Sequence, residues 1–185
     1  MAGYFGTETQ QRLQACAEAS ADFIATTPGA CQVGRMMGSD DVDRLGWERI
    51  DAFLERDGVF GFRLIATEKI DDLRRALARR GYRFDCWNVF VADRASAETA
   101  SRRLMQKLPD GLTELDMPKD AEGGDVRRIQ ALMNSTGIVP FSGSMLSGGA
   151  GQTTTVALGD EQGNVVAAAH GYLPHNAHSR YHRYA

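Results

Sequence analysis

Residues 153–172, TTTVALGDEQGNVVAAAHGY, constrain the fold of this chain more than any other stretch. Two runs of strand-forming composition flank Gly159-Asp160-Glu161-Gln162-Gly163, a turn composition, so the pattern predicts a β-hairpin. A further strand is expected to begin near Tyr181, and the sequence closes at Ala185. Two readings follow: a sheet that ends on a stub, or a longer chain of which these residues are a part. An exposed edge after Tyr172 would invite pairing, so a homodimer is expected if 185 residues is the natural length.

The remaining sequence narrows the function classes. A net charge of −3 supplies no global field for nucleic acid or anionic lipid. The basic cluster Arg74, Arg75, Arg79, Arg80 and Arg83 reads as the solvated face and C-terminal end of a helix, where cations are favoured. No apolar run approaches the roughly 18 residues of a membrane span. The opening MAGYFGTETQQ has neither a basic region nor an apolar core of a secretory signal. Cys16, Cys31 and Cys86 have no metal-like spacing and read as reduced thiols, each a small buried hydrophobe, in a cytoplasmic protein. A disulfide between two of them stays open.

Upstream, the periodicity predicts a helix over 9–25, with Leu13, Cys16, Ala17, Ser20, Phe23 and Ile24 on one face. A short strand over 32–37 and a turn at Gly38-Ser39-Asp40 follow, then a helix over 43–56 opened by Asp40, Asp41 and Asp43. Strand 59–66, helix 68–80 and strand 82–91 have βαβ spacing, so a parallel pairing is expected, with an antiparallel one open. Residues 93–108 predict a polar helix, and Pro109-Asp110-Gly111 marks a domain boundary. The pattern then restarts: strand 112–116, helix 125–135 with Val126, Ile129, Leu132 and Met133 inward, a loop over 137–152, and the hairpin.

His170, His175, His178 and His182 crowd the end of the chain, but H-x4-H-x2-H-x3-H is not a zinc framework. A polar loop between strands is the preferred reading; metal binding and a substrate-side role stay open. The glycine- and serine-rich loop lacks a Lys-Ser/Thr ending and a Gly-x-Ser-x-Gly elbow. It reads as a flexible connection, a substrate loop or an anion nest. Trp47, Trp87 and Tyr82 read as core aromatics. Glu114 and Asp116 share a strand face, where an acid/base pair would sit.

The run from Leu112 onward, and TTTVALGDEQGNVVAAAHGYL above all, resembles the front half of a GNAT-superfamily N-acetyltransferase. The earlier IDDLRRALARRGYRFDCWNVFVAD is similar to the late helix and strand of such a domain. The resemblance implies an α/β (α+β, mixed-sheet) architecture: an incomplete GNAT-like acyl-CoA N-acyltransferase fold over 109–185, preceded by a degenerate GNAT-like half over 1–108. It implies acetyl transfer from acetyl-CoA to a small-molecule or peptide amine, by direct attack of the deprotonated amine on the thioester. The hairpin would then lie near the acceptor, with His175 and Tyr172 as catalytic candidates and Ser142 and Ser144 as substrate-binding ones. The family's pyrophosphate motif, Arg/Gln-x-x-Gly-x-Gly/Ala, does not occur in the sequence. The donor site is therefore lost, lies in residues beyond Ala185, or comes from another chain. The alternative is a non-catalytic binding or dimerisation module with the same fold.

Overall fold

The computed structural model describes residues 3–105 and 109–184. In chain order the elements are α1 (Glu8–Ala19), α2 (Ala21–Thr26), β1 (Ala30–Val33), β2 (Met36–Ser39), α3 (Val42–Leu45), α4 (Trp47–Asp57), β3 (Gly61–Phe62), α5 (Ile70–Ala78), α6 (Arg94–Met105), β4 (Thr113–Leu115), α7 (Gly124–Ser135), α8 (Gly143–Leu146), β5 (Thr153–Gly159) and β6 (Val165–Tyr172). The protein is mixed α/β with two three-stranded sheets, ordered β1-β2-β3 and β4-β5-β6. Two compact units result: one joins the residues up to Arg63 with those from Gly111 onward, and the other runs from Leu64 to Asp110.

In the larger unit, the hairpin forms as expected. β5 and β6 are antiparallel from Thr153↔Tyr172 to Gly159↔Val165, with a register shift at Leu158/Gly159 beside the turn. Asp160 closes that turn, its Oδ1 accepting from the amides of Gln162 and Asn164. β4 adds antiparallel to β5. Helix α7 buries Val126, Ile129 and Met133 against Leu146 and Ala157, with Leu115, Phe141, Val165 and Ala168 packed around them. Each of the fully buried Val126, Ile129, Met133 and Leu146 side chains contributes about 1.5–3 kcal/mol over its exposed state. Gln130, fully buried in the same helix, is tolerated because its amide donates to the carbonyls of Gly3 and Phe141.

The other sheet departs from expectation. The turn falls at Gly34-Arg35, not at 38–40, so 30–39 is itself a hairpin. β3 joins parallel to β2 and is shorter than the 59–66 strand expected. Gly38 and Gly61 let this sheet close: a Cβ on either would sit 2.4 Å from the Val33 side chain. The helix expected over 9–25 divides at Ser20, which also takes the Cys16 carbonyl with its hydroxyl. The 43–56 helix divides at Gly46 (φ 85°), and α4 ends on the left-handed Gly58 (φ 73°). Asp41 caps α3 through the Arg44 amide, whereas Asp40 turns into the interior. The loop over 137–152 contains α8, capped by Ser142. No strand begins at Tyr181; residues 177–183 are a series of turns and a bend.

The smaller unit holds α5, with Leu73, Ala76 and Leu77 buried, and α6, whose described side chains are exposed. Arg74 and Arg75 pair with Asp71 and Asp72 one turn back, as a solvated face would. The 82–91 strand does not form, so there is no βαβ unit: Trp87 is 84% and Phe90 93% exposed, and no ladder reaches them among the described residues. The alternating pattern was there, but a strand exists only with a partner. Residues 106–108 of the helix expected over 93–108 lie outside the described residues. Cys31 is buried as expected, Cys86 is exposed, and all three thiols are free. Among the described residues no helix is long and apolar enough to cross a membrane.

Candidate functional site

Three polar clusters lie within the larger unit. The first centres on Glu18, near the end of α1. Its Oε1 accepts from Ser142 Oγ at 2.7 Å and from Ser144 Oγ, and its Oε2 accepts from Tyr4 Oη at 3.0 Å. Burial, reinforced by Glu18, pushes the Tyr4 phenol up to about 12. The structure thus brings Ser142 and Ser144 together, but their hydroxyls are turned onto a carboxylate rather than outward. The neighbouring glycine loop is not an anion nest: Gly149 N and Ala150 N both donate to Ser144 O, and Gly148 N to Met145 O. Amides engaged inside a loop are not available to a phosphate.

The second cluster is closed. His175 Nδ1 donates to Asp40 Oδ2 at 2.7 Å, and Ser179 Oγ donates to the same oxygen. The His175 and Asp40 side chains are 0% and 2% exposed. Burial pushes the Asp40 carboxyl upward, but the hydrogen bonds from His175 and Ser179 and the pull of the imidazole outweigh it and hold the group below the usual carboxylate range. Beside it Cys31, bridged to His175 in antiparallel fashion, has its thiol pushed far up by burial and by Asp40, so it stays protonated and unreactive. The segment after β6 seals this cluster. Pro174 O accepts from Gln32 N, Asn176 Nδ2 reaches the carbonyls of Ile24, Thr27 and Ala30, and Arg44 donates to His178 O at 2.7 Å.

The third cluster surrounds the end of β6. Phe141, His170 and Tyr172 pack ring to ring, with 4.5 Å between the centroids of Phe141 and His170. The Gly34 amide donates to Tyr172 Oη at 2.6 Å, and the Arg63 guanidinium lies 5.6 Å from the Tyr172 ring centre. Thr155 Oγ1 donates its one proton to Leu146 O and stands 2.9 Å from His170 Nδ1. His170 must then be the donor in that pair, which leaves its Nε2 as a lone-pair acceptor. Burial alone pulls the His170 imidazole down to about 4 and keeps it neutral. Burial also raises the Tyr172 phenol, against the Gly34 amide and Arg63, so it stays protonated.

Buried polar atoms without a partner among the described residues are Arg35 Nε, Arg63 Nε, His170 Nε2 and His175 Nε2. Native interiors leave few such atoms, and each calls for an explanation. Arg63, Glu18 and Asp40 carried no signal as site residues in the sequence. Asp40 lies 135 positions from His175, and only the fold joins them. Glu114 and Asp116 are exposed, and Trp87 is not a core aromatic. Among the described residues no three His, Cys, Asp or Glu side chains form a metal-ligating group. No protein-family model matches this chain, nor does any curated protein or solved structure.

Proposed function

We propose that residues 111–185 form the acceptor side of a GNAT-type N-acetyltransferase, which moves acetyl from acetyl-CoA to an amine. The observation that carries this reading is the order of elements: β4, α7, the short α8, then the antiparallel β5 and β6, with α7 packed on the sheet. That is the order the resemblance implies for the front of such a domain. Acetyl-CoA would supply the acyl group as a thioester, but the residues present do not fit its pyrophosphate. The motif is missing and the one glycine-rich loop has turned its amides inward. No residue of this chain is assigned to the donor.

On the acceptor side, the amine must present an unprotonated nitrogen to react. The Nε2 atoms of His170 and His175 both lack a partner among the described residues, but the His175 side chain is fully enclosed on Asp40 and His170 is only half-buried, so we place the amine at His170. A group held near 4 is too weak a base to strip an ammonium ion; it accepts a hydrogen bond from the N–H of the neutral amine. Tyr172, protonated throughout the neutral range, serves as a donor.

The test is incubation of the chain with acetyl-CoA and a panel of small and peptide amines, following thiol release and acetylation of the acceptor by mass. Turnover that His170→Gln reduces about tenfold or more sustains the proposal. Amine binding without turnover, and without acetyl-CoA binding, favours the second reading, a non-catalytic binding module. The inward-turned loop amides are the observation on its side.

A further inference from the structure

The hydrogen-bond ledger around Tyr172 is one-sided. Tyr172 Oη accepts the Gly34 amide, and its own proton has no acceptor among the described residues. Arg63 lies over the same ring and makes no ion pair or side-chain hydrogen bond among the described residues, while its Nε is shut off from water without a partner. Its backbone amide is anchored on Ser39 O at 3.0 Å, at the end of the β2–β3 ladder. Arg35 follows Gly34 directly, and its Nε is in the same state. A donor nitrogen shut off from water without an acceptor is costly, and native interiors normally supply one. The groups left over on Arg63 and Tyr172 are all donors, one of them on a cation, and an anionic acceptor matches both the hydrogen bonds and the charge.

We infer that Arg63 and Tyr172 bind the carboxylate of the ligand, so that the acceptor is an amino carboxylate rather than a simple amine. The planar fork of a guanidinium matches two carboxylate oxygens, and the phenol adds a third donor from the side. His170 Nε2, in ring contact with Tyr172 and needing a donor, takes the N–H at the other end of the ligand. The amine half of this assignment rests on the acetyl-transfer reading above; the carboxylate half rests on the unmatched donors alone.

The test is binding without acetyl-CoA, so it stands apart from turnover. Glycine, β-alanine and γ-aminobutyrate are titrated against methylamine, ethylamine and propylamine, their counterparts without the carboxylate, and against inorganic phosphate. The Gly34 backbone amide resonance, whose proton lies on Tyr172 Oη and which every variant below retains, is the reporter. At least one amino carboxylate should shift it saturably and bind about tenfold or more tightly than its amine. Arg63→Ala should remove that preference, Arg63→Lys should retain only part of it, and Tyr172→Phe should weaken binding severalfold, each with a cooperative melt confirming the fold. Equal binding of carboxylates and amines overturns the inference. So does the absence of any saturable shift, undiminished preference in folded Arg63→Lys and Tyr172→Phe, or phosphate binding more tightly than every amino carboxylate.

Discussion

His170 and His175 stand on either side of the end of β6, both with a buried ring nitrogen, yet their surroundings differ in kind. Around His175 the network is dense: Asp40, Ser179 and Asn176 tie the last turns to β1, α2 and α3, and His175 Nε2 is the atom left without a partner among the described residues. Around His170 the network is cut short, and Tyr172, Arg63 and the imidazole each have a hydrogen-bonding group without a match among the described residues. The difference separates polar groups that hold a fold together from polar groups that wait on something else. The proposed ligand is accordingly placed at the cluster around His170, which has more groups left unmatched.

Removing the carboxylate from the sealed cluster should have the largest effect. Asp40→Ala strands the His175 and Ser179 donors in the interior and should cost about 3 kcal/mol or more in urea unfolding. A cost under about 1 kcal/mol would mean that the Asp40–His175 cluster does not hold the fold together. Asn176→Ala comes next, since one amide nitrogen serves three carbonyls; about 2 kcal/mol is expected from the same measurement.

Acid should separate the two clusters by pH window. The His170 imidazole falls from 6.5 to about 4 on folding, so the unfolded chain binds its proton first. Stability should then decline as pH drops from 6.5 towards 4, and His170→Phe should flatten that slope. Asp40 is also depressed and also loses stability in acid, but in a lower window: its carboxyl stabilises above its unfolded value of roughly 3.9 and loses that contribution as pH falls through its lower folded value. Asp40→Asn should remove the loss at the acid end and leave the His170 window in place. The smallest effect belongs to the other unit. Trp87→Ser, at a side chain 84% exposed, should change stability by no more than about 0.5 kcal/mol.

Particular elements show where sequence reading works. The 153–172 hairpin and the 124–135 helix were legible because their apolar periodicity and turn residues agree with the neighbours they found. Residues 82–91 carry an equally good alternation and form no strand. Periodicity states which face would be buried, not whether a partner strand exists. The Gly34-Arg35 turn was misplaced by a few residues because Gly38, the stronger-looking turn residue, is a strand residue made small by Val33. Of the candidate site residues, Ser142, Ser144, Tyr172 and His175 were visible as types in a segment, but their partners Glu18, Gly34 and Asp40 were not.

What the amino-acid order determined by itself is local: the hairpin with its turn at 159–163, the helical faces and the missing pyrophosphate motif. These depend on residues within a turn or two of one another, where spacing and backbone preference decide. Only the tertiary structure decided that Asp40 faces His175, that Glu18 gathers Ser142 and Ser144, and that Arg63 lies over Tyr172 with no counter-ion among the described residues. Those pairings join residues more than a hundred positions apart, and they follow from which surfaces could be buried together, a property of the packed chain that no short stretch of it encodes.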